Sequence, residues 1–227
     1  MIALKESNVK QHILNVAMEL FYEKGYDNTS INAIIENVGV SKGAFYHYFK
    51  SKEDVLEAVA GRHIEVEITI TKKAAEERYL NALEKINKVF NEVLTHKVLD
   101  MGERQKISKF FESEGNVKFQ RKVVENKIKL LTPLYLSIIK QGIMEGIFKT
   151  SYPDEVAEQI IQMLIILNSM VVKLTSDINE KPENIAVIKR KIEAYREAVE
   201  RILGAPKDSI NFLENIRIFE EYMNNKK

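Results

Sequence analysis

Apolar side chains recur at intervals of three and four along most of the chain, the spacing of helices that bury one face. Ile31, Ile34, Ile35 and Val38 predict a short helix that stops at Gly39, where a helix end favours a left-handed backbone. Val40 resumes the apolar pattern, and Phe45 and Phe49, four apart, predict a second short helix with both rings turned inward. Residues 51–73 carry two signals. Ile64, Val66, Ile68 and Ile70 alternate with Glu65, Glu67, Thr69 and Thr71 as in a strand, yet Val55, Val59, Val66 and Ile70 also form a helical stripe. Leu80, Leu83, Ile86, Phe90 and Leu94 predict a helix over 79–98, and a short segment follows at 103–111. A longer helix is expected over 116–141, interrupted by Pro133, which lacks a backbone donor and should kink it. The stretch 154–176 is apolar over so much of its circumference that it predicts burial on more than one side. Ile185, Ile188, Ile192, Tyr195, Val199 and Ile202 then make a narrow heptad-like seam. That seam fits packing on the chain's own 154–176 helix or on a second copy. A last helix is predicted over 209–224, with Phe212, Ile216, Phe219 and Met223 on one face. The fold class is all-α.

The chemistry concentrates in residues 28–54. Thr29 or Ser30 can cap the first short helix, and Ser41 the second. With Phe45 and Phe49 inward, Lys42, Gly43, Ala44, Tyr46 and His47 face outward or sideways. Small, hydrogen-bonding and basic side chains on a compact helix after a glycine turn suit the major groove of DNA. Gly43 and Ala44 allow the backbone close to base edges or a thymine methyl. Tyr48, Lys50 and Lys52 fall where such a unit meets the sugar–phosphate backbone. Ser51 followed by Asp54 reads as a capping box, leaving the amide end of a third helix open to a phosphate.

The order capped helix, Val38-Gly39-Val40, Ser41-Lys42-Gly43, Phe45-Tyr46-His47-Tyr48-Phe49 and Lys50-Ser51-Lys52 resembles the TetR family of bacterial transcriptional regulators. The stretch from Ile13 to Phe21, ending in Glu23-Lys24-Gly25-Tyr26, is similar to that family's first helix. The resemblance covers roughly residues 8–60. It implies a three-helix helix-turn-helix DNA-binding domain over 1–50, followed by a helical ligand-binding and dimerisation domain over 51–227 whose residues 51–73 form one connecting helix. It makes residues 41–48 the recognition helix, with Ser41, Lys42, Gly43, Ala44, Tyr46 and His47 as groove contacts. Tyr48, Lys52 and Thr29 are the expected phosphate contacts, with the hydroxyls of Tyr46 and Tyr48 both within reach of one, and such contacts set register while base contacts set specificity. The run Gly142–Phe148 followed by Tyr152 and Pro153 resembles the family's turn into its penultimate large helix. The two helices after it would pair with their counterparts as a four-helix dimer interface, through Leu164, Val171, Ile185, Ile188, Ile192, Tyr195, Val199 and Ile202. A dimer lets two recognition helices read both halves of a pseudo-palindromic operator.

Charge narrows the DNA-binding footprint. Residues 1–60 hold six lysines, no arginine and eight carboxylates, a net of −2. Between Asn37 and Lys52, however, there are three lysines and no acid, so the basic surface is confined to that stretch. The whole chain of 227 residues carries a net charge of only +1, which implies no general attraction to nucleic acid or anionic membrane. The chain has no cysteine, which excludes disulfides, thiol catalysis and Cys-ligated zinc. The N-terminus becomes charged at Lys5-Glu6, unlike a signal peptide, and the longest apolar run, Met163 to Leu167, is short for a bilayer. A cytoplasmic protein is expected.

His12, His47, His63 and His96 are dispersed, and there is no phosphate-cradling glycine loop, nucleophile elbow or H-E-x-x-H motif. The expectation is therefore no enzyme, metal or cofactor. The resemblance implies a small-molecule effector bound among the body helices, with Phe90, Phe110, Phe111, Phe119, Tyr135, Met144, Met163 and Asn168 as lining residues. Their composition suits an apolar or aromatic ligand with few polar anchors. Such a protein is expected to be a ligand-responsive regulator, a repressor by family default, released from its operator by the effector. Two other readings stay open: a DNA-binding adaptor of the same fold that recruits another protein, and an all-α small-molecule-binding protein without DNA binding.

Overall fold

The computed structural model describes residues 2–99, 114–178 and 180–211. Among them are eight α-helices: α1 (Ile2–Lys24), α2 (Ile31–Val38), α3 (Lys42–Tyr48), α4 (Lys52–Glu76), α5 (Ala82–Leu99), α6 (Val117–Met144), α7 (Pro153–Ser176) and α8 (Asn184–Leu203). A 3-10 turn, Glu114–Asn116, leads into α6. The segment 103–111 and residues 212–224 of the expected last helix lie outside the described residues.

The described chain packs as two compact units, one of residues 2–65 with 114–126, the other of residues 66–99, 127–178 and 180–211. In the first unit, α1 contributes Ile13, Ala17 and Phe21, α2 Ile34, α3 Phe45, and α4 Val55, Val59 and Ile64, all at most 1% exposed. The start of α6 joins this core through Phe119, whose ring lies 6.4 Å from that of Phe21. Lys122 secures the same stretch to Glu57 on α4, at 2.9 Å.

The ambiguous stretch after Ser51 is helical. Val55, Val59 and Ile64 are buried while Val66 is 45% exposed, so the strand-like alternation does not mark a sheet face. The cap begins it: Ser51 Oγ accepts from Asp54 N at 3.0 Å, and Asp54 in turn accepts from Lys50 N at 2.9 Å.

The second unit has its own core, built from Ile86, Val89 and Phe90 on α5, Leu131, Tyr135 and Ile139 on α6, and the α7–α8 pair. α6 does not break at Pro133. Pro133 and Lys129, whose carbonyl would have bonded the missing N–H, are both exposed, on the side of the helix where a lost bond costs least. α7 starts at Pro153, a residue suited to a first helical position, with Asp154 and Glu155 against the positive end of the helix. By length and composition α7 could cross a bilayer, a reach that the short run Met163 to Leu167 understated, and only 28% of its most apolar stretch is buried. Its buried residues Val156, Ile160, Ile161 and Leu167 face the same core as Ile188, Ile192 and Val199 of α8.

After α8 the chain turns at Gly204 and is tied back. Arg196 and Glu200, both nearly buried, pair at 2.7 Å, and Glu200 also accepts from Ile210 N at 2.9 Å. Asn87 on α5 donates to Ser209 O at 3.0 Å and accepts from Asn211 N at 2.8 Å.

Candidate nucleic-acid interface

The α2–turn–α3 unit is assembled as its sequence predicts. Ser30, rather than Thr29, caps α2 by accepting from Ala33 N at 3.1 Å, and Ser41 caps α3 by accepting from Ala44 N at 3.1 Å. Gly39 takes φ 73° and donates its N–H to Ile35 O at 3.0 Å, closing α2 in the left-handed conformation that a side chain would resist. Phe45 and Phe49 are 0% and 3% exposed with ring centroids 6.0 Å apart, and they root α3 in the core.

Rooting those two rings presents the rest of α3 to solvent. Ser41, Lys42, Gly43, Tyr46 and His47 are exposed, and Ala44 and Tyr48 half-buried. Tyr46 stands edge-on to Phe45 at 5.5 Å, and His47 edge-on to Tyr48 at 4.9 Å, so the aromatic face has a defined relief. A Cβ added at Gly43 would meet only Ser41 Oγ, at 4.0 Å. Nothing inside the protein requires glycine there; the bare backbone is turned outward.

Two expected phosphate contacts change. Thr29 is 1% exposed, and its hydroxyl is turned inward, 2.8 Å from Gly25 O and 3.2 Å from Leu20 O. It clamps the end of α1 to the start of α2 and cannot reach a ligand. The amide end of α4 is partly taken: Ser51 Oγ accepts from Asp54 N, and Glu53 and Asp54 place two carboxylates in its first turn, which disfavours an anion there. Lys52 remains, with its ammonium 4.2 Å above the centre of the Tyr26 ring and 3.3 Å from Asp27 O. Burial pushes its pKa down, with Asp27 and Glu53 opposing that shift.

Of the expected effector-lining residues that are described, some come together and some do not. Phe90 and Tyr135 do meet in the second unit, with ring centroids 6.2 Å apart, and Met163 packs half-buried against the same core. Asn168 is half-buried on α7. Met144 is 82% exposed at the end of α6, which removes it from any lining, and Phe119 belongs to the core of the first unit. Phe110 and Phe111 lie outside the described residues. What the sequence reading missed is a charged cluster beside Tyr135: Glu67 Oε2 lies 2.8 Å from Lys127 Nζ and 3.4 Å from Lys97 Nζ. Burial raises the Glu67 carboxyl, but the two ammoniums outweigh it and hold its pKa at about 2. Tyr135 is pushed well up, first by burial and then by the Glu67 charge. In sequence Glu67 reads as one more polar step of an exposed alternation, and only the two lysines from distant helices reveal it.

The heptad-like seam on α8 also divides. Ile188, Ile192 and Val199 are 1%, 8% and 0% exposed within their own chain, so they are core residues and not available to a partner. Ile185, Tyr195 and Ile202 are half-buried, as are Leu164 and Val171 on α7. Ile166 on α7 and Val187 on α8 are 53% and 38% exposed.

A small helical head presenting α3 beyond a tight glycine turn, joined to a larger helical body, defines a helix-turn-helix DNA-binding protein of two parts. Residues 13–59 match the family model described as bacterial regulatory proteins of the tetR family, and residues 97–197 match that of the Tetracyclin repressor-like C-terminal domain. The chain belongs to the TetR family of transcriptional regulators. It is 42% identical over 59 residues to an HTH-type transcriptional regulator in the lacX 3′ region of Lactococcus lactis, covering 26% of this chain and 30% of that one. It is 42% identical over 50 residues to the HTH-type transcriptional regulator AcrR of Shigella flexneri, covering 22% and 23% of the two chains. The matches thus span less than a third of either relative. A solved TetR-family regulator from Syntrophomonas wolfei shares the fold at 21% identity and a TM-score of 0.62, over 85% of this chain and 95% of that one.

Proposed function

We propose that the chain is a homodimeric cytoplasmic repressor that reads a pseudo-palindromic operator through α3 and is released by a small-molecule effector held in its body. The observation that carries this reading is the outward face of α3. Lys42 and His47 offer donors, Gly43 and Ala44 offer close approach, and Tyr46 offers a hydroxyl and an apolar edge for a thymine methyl. Tyr48 and Lys52 flank that face as phosphate contacts, which orient the helix without reading sequence. The family supplies the regulatory class, and repression is its default.

Dimerisation is supported by the unspent apolar surface of α7 and α8. Ile166 and Val187 are large and exposed, and Leu164, Val171, Ile185, Tyr195 and Ile202 are only half-covered by their own chain. Exposed and half-covered apolar groups on two helices that pack on each other support an association surface.

An effector is supported by the match of residues 97–197 to the Tetracyclin repressor-like C-terminal domain, and in the second unit Phe90, Tyr135 and Met163 share one core beside the Glu67–Lys97–Lys127 cluster. That is an apolar surround with few polar anchors, suited to an apolar or aromatic ligand. Such a ligand releases DNA only by binding the DNA-incompetent arrangement more tightly; equal affinity for both would shift nothing. The test is selection of bound fragments from random double-stranded DNA. A two-fold symmetric motif is the expected result, and no enrichment at low salt overturns the reading.

A further inference from the structure

The Tyr26 ring, 2% exposed, is the meeting point of two lysines that are 66 positions apart in the chain. Lys52, at the start of α4, holds its ammonium 4.2 Å from the ring centre, and Lys118, at the start of α6, holds its own at 5.7 Å. The arrangement is fixed from all sides. Tyr26 N donates to Asn116 Oδ1 at 2.9 Å, Asp27 N donates to Gly115 O at 3.2 Å, and Tyr26 Oη donates to Glu53 at 3.0 Å. The backbones of Gly25 and Gly115 are so close that a Cβ on Gly25, which has φ 83°, would lie 3.1 Å from Gly115 O. Lys118 also pairs with Asp27 at 3.2 Å, and its side chain is still 66% exposed.

We infer that Lys118 joins Lys52 around Tyr26 in a two-ammonium site that grips a backbone phosphate of the operator. This rests on the regulator reading above and adds a DNA contact from outside the helix-turn-helix. The location supports it. Asp27 lies three residues before Ser30, the cap of α2, and Lys52 four residues after Tyr48, the end of α3. In helix-turn-helix proteins the strand backbone runs past the flanks of the recognition helix, where phosphate contacts fix the docking. The chemistry supports it too. An ammonium has three donors, and Asp27 engages one of those of Lys118. Asp27 accepts from Lys52 through its carbonyl and pairs with Lys118 through its carboxylate, and the Tyr26 ring lies under both ammoniums, so a phosphate meets two cations gathered at one place. The site also answers the acidic balance of residues 1–60, since residues 117–126 add Lys118, Arg121 and Lys122 against Glu125 alone.

The experiment measures affinity by fluorescence anisotropy for the labelled duplex recovered by the selection, across a salt series. Lys118→Ala should weaken binding and lower the magnitude of the log–log salt slope by about 1 per protomer, with base preference unchanged. Lys118→Arg should keep the slope. Arg121→Ala, which removes an exposed cation one turn along α6, should also leave it unchanged. An unchanged slope in Lys118→Ala overturns the inference. So does recovery of the slope when Lys118→Ala is combined with Asp27→Asn, because Lys118 would then serve only to neutralise Asp27. If the wild type binds no duplex, the regulator reading falls and takes this contact with it. Wild-type binding with an unaltered Lys118→Ala slope defeats the contact alone.

Discussion

Lys127 Nζ lies 2.8 Å from Glu67 Oε2, and the same oxygen faces Lys97 at 3.4 Å, in a body whose core is packed with aliphatic and aromatic side chains. One carboxylate thus draws together α4, α5 and α6. Its removal leaves two ammoniums with poor access to water, the costly half of any buried ion pair.

The pH dependence of stability follows from that carboxylate. The folded pKa of Glu67 is about 2 against an ordinary 4.5, so the folded state favours the ionised form. Its stabilisation is fully present above pH 4.5 and is lost as pH falls through the folded value, a change of about 3 kcal/mol. Urea unfolding followed from pH 6 to pH 2 should show this loss. Glu67→Gln should be less stable by about 3 kcal/mol or more at pH 6 and should flatten that segment of the curve. Equal slopes in the two proteins would remove Glu67 as its source.

Gly43 gives a prediction in which stability and function part company. A methyl there meets nothing closer than Ser41 Oγ at 4.0 Å, and alanine is the better helix former by about 1 kcal/mol. Gly43→Ala should therefore melt at the same temperature or higher while binding the selected duplex roughly tenfold more weakly, ~1.4 kcal/mol. Undiminished affinity would show that the α3 backbone does not approach the bases at this point.

Thr29 predicts the reverse. Its hydroxyl bridges toward Gly25 O and Leu20 O out of reach of solvent. Thr29→Val should cost about 1–3 kcal/mol of stability, and Thr29→Ser should recover most of it. Neither should alter the salt slope of DNA binding, whereas a direct phosphate contact would lower it by about 1.

The helix-turn-helix was legible in the sequence because its determinants are local. Ser30, Gly39, Ser41 and the Phe45–Phe49 spacing each act within four residues, and caps and turns are written at that range. The membership of Phe119 in the head and the Glu67–Lys97–Lys127 cluster were not legible, because each joins residues tens of positions apart through packing that periodicity does not encode. Thr29 shows a subtler limit. A threonine beside a cap reads as a second cap until the fold buries it. The α8 seam stayed open between two readings for a related reason: a stripe at helical spacing says that a face is covered, not which chain covers it. Ile188, Ile192 and Val199 belong to the same stripe as Ile185, Tyr195 and Ile202, yet only the first three are buried by their own α7.

That division within one stripe yields the last prediction. Ile166 is 53% exposed and Val187 38%, so a charge at either position costs the isolated chain little. At a subunit contact the same charge would be buried without a partner, at a cost of several kcal/mol. Ile166→Glu should therefore shift the protein from dimer to monomer in sedimentation velocity while leaving its helical circular dichroism intact. The monomer should lose most of its affinity for a two-fold symmetric duplex, because one recognition helix reads only half of the site. Val199→Ala, at a residue fully buried in its own chain, should instead destabilise the fold by about 1–3 kcal/mol and leave the folded protein dimeric. If Ile166→Glu stays dimeric and Val199→Ala dissociates, the partner-facing surface is the α8 seam and not the exposed side of α7.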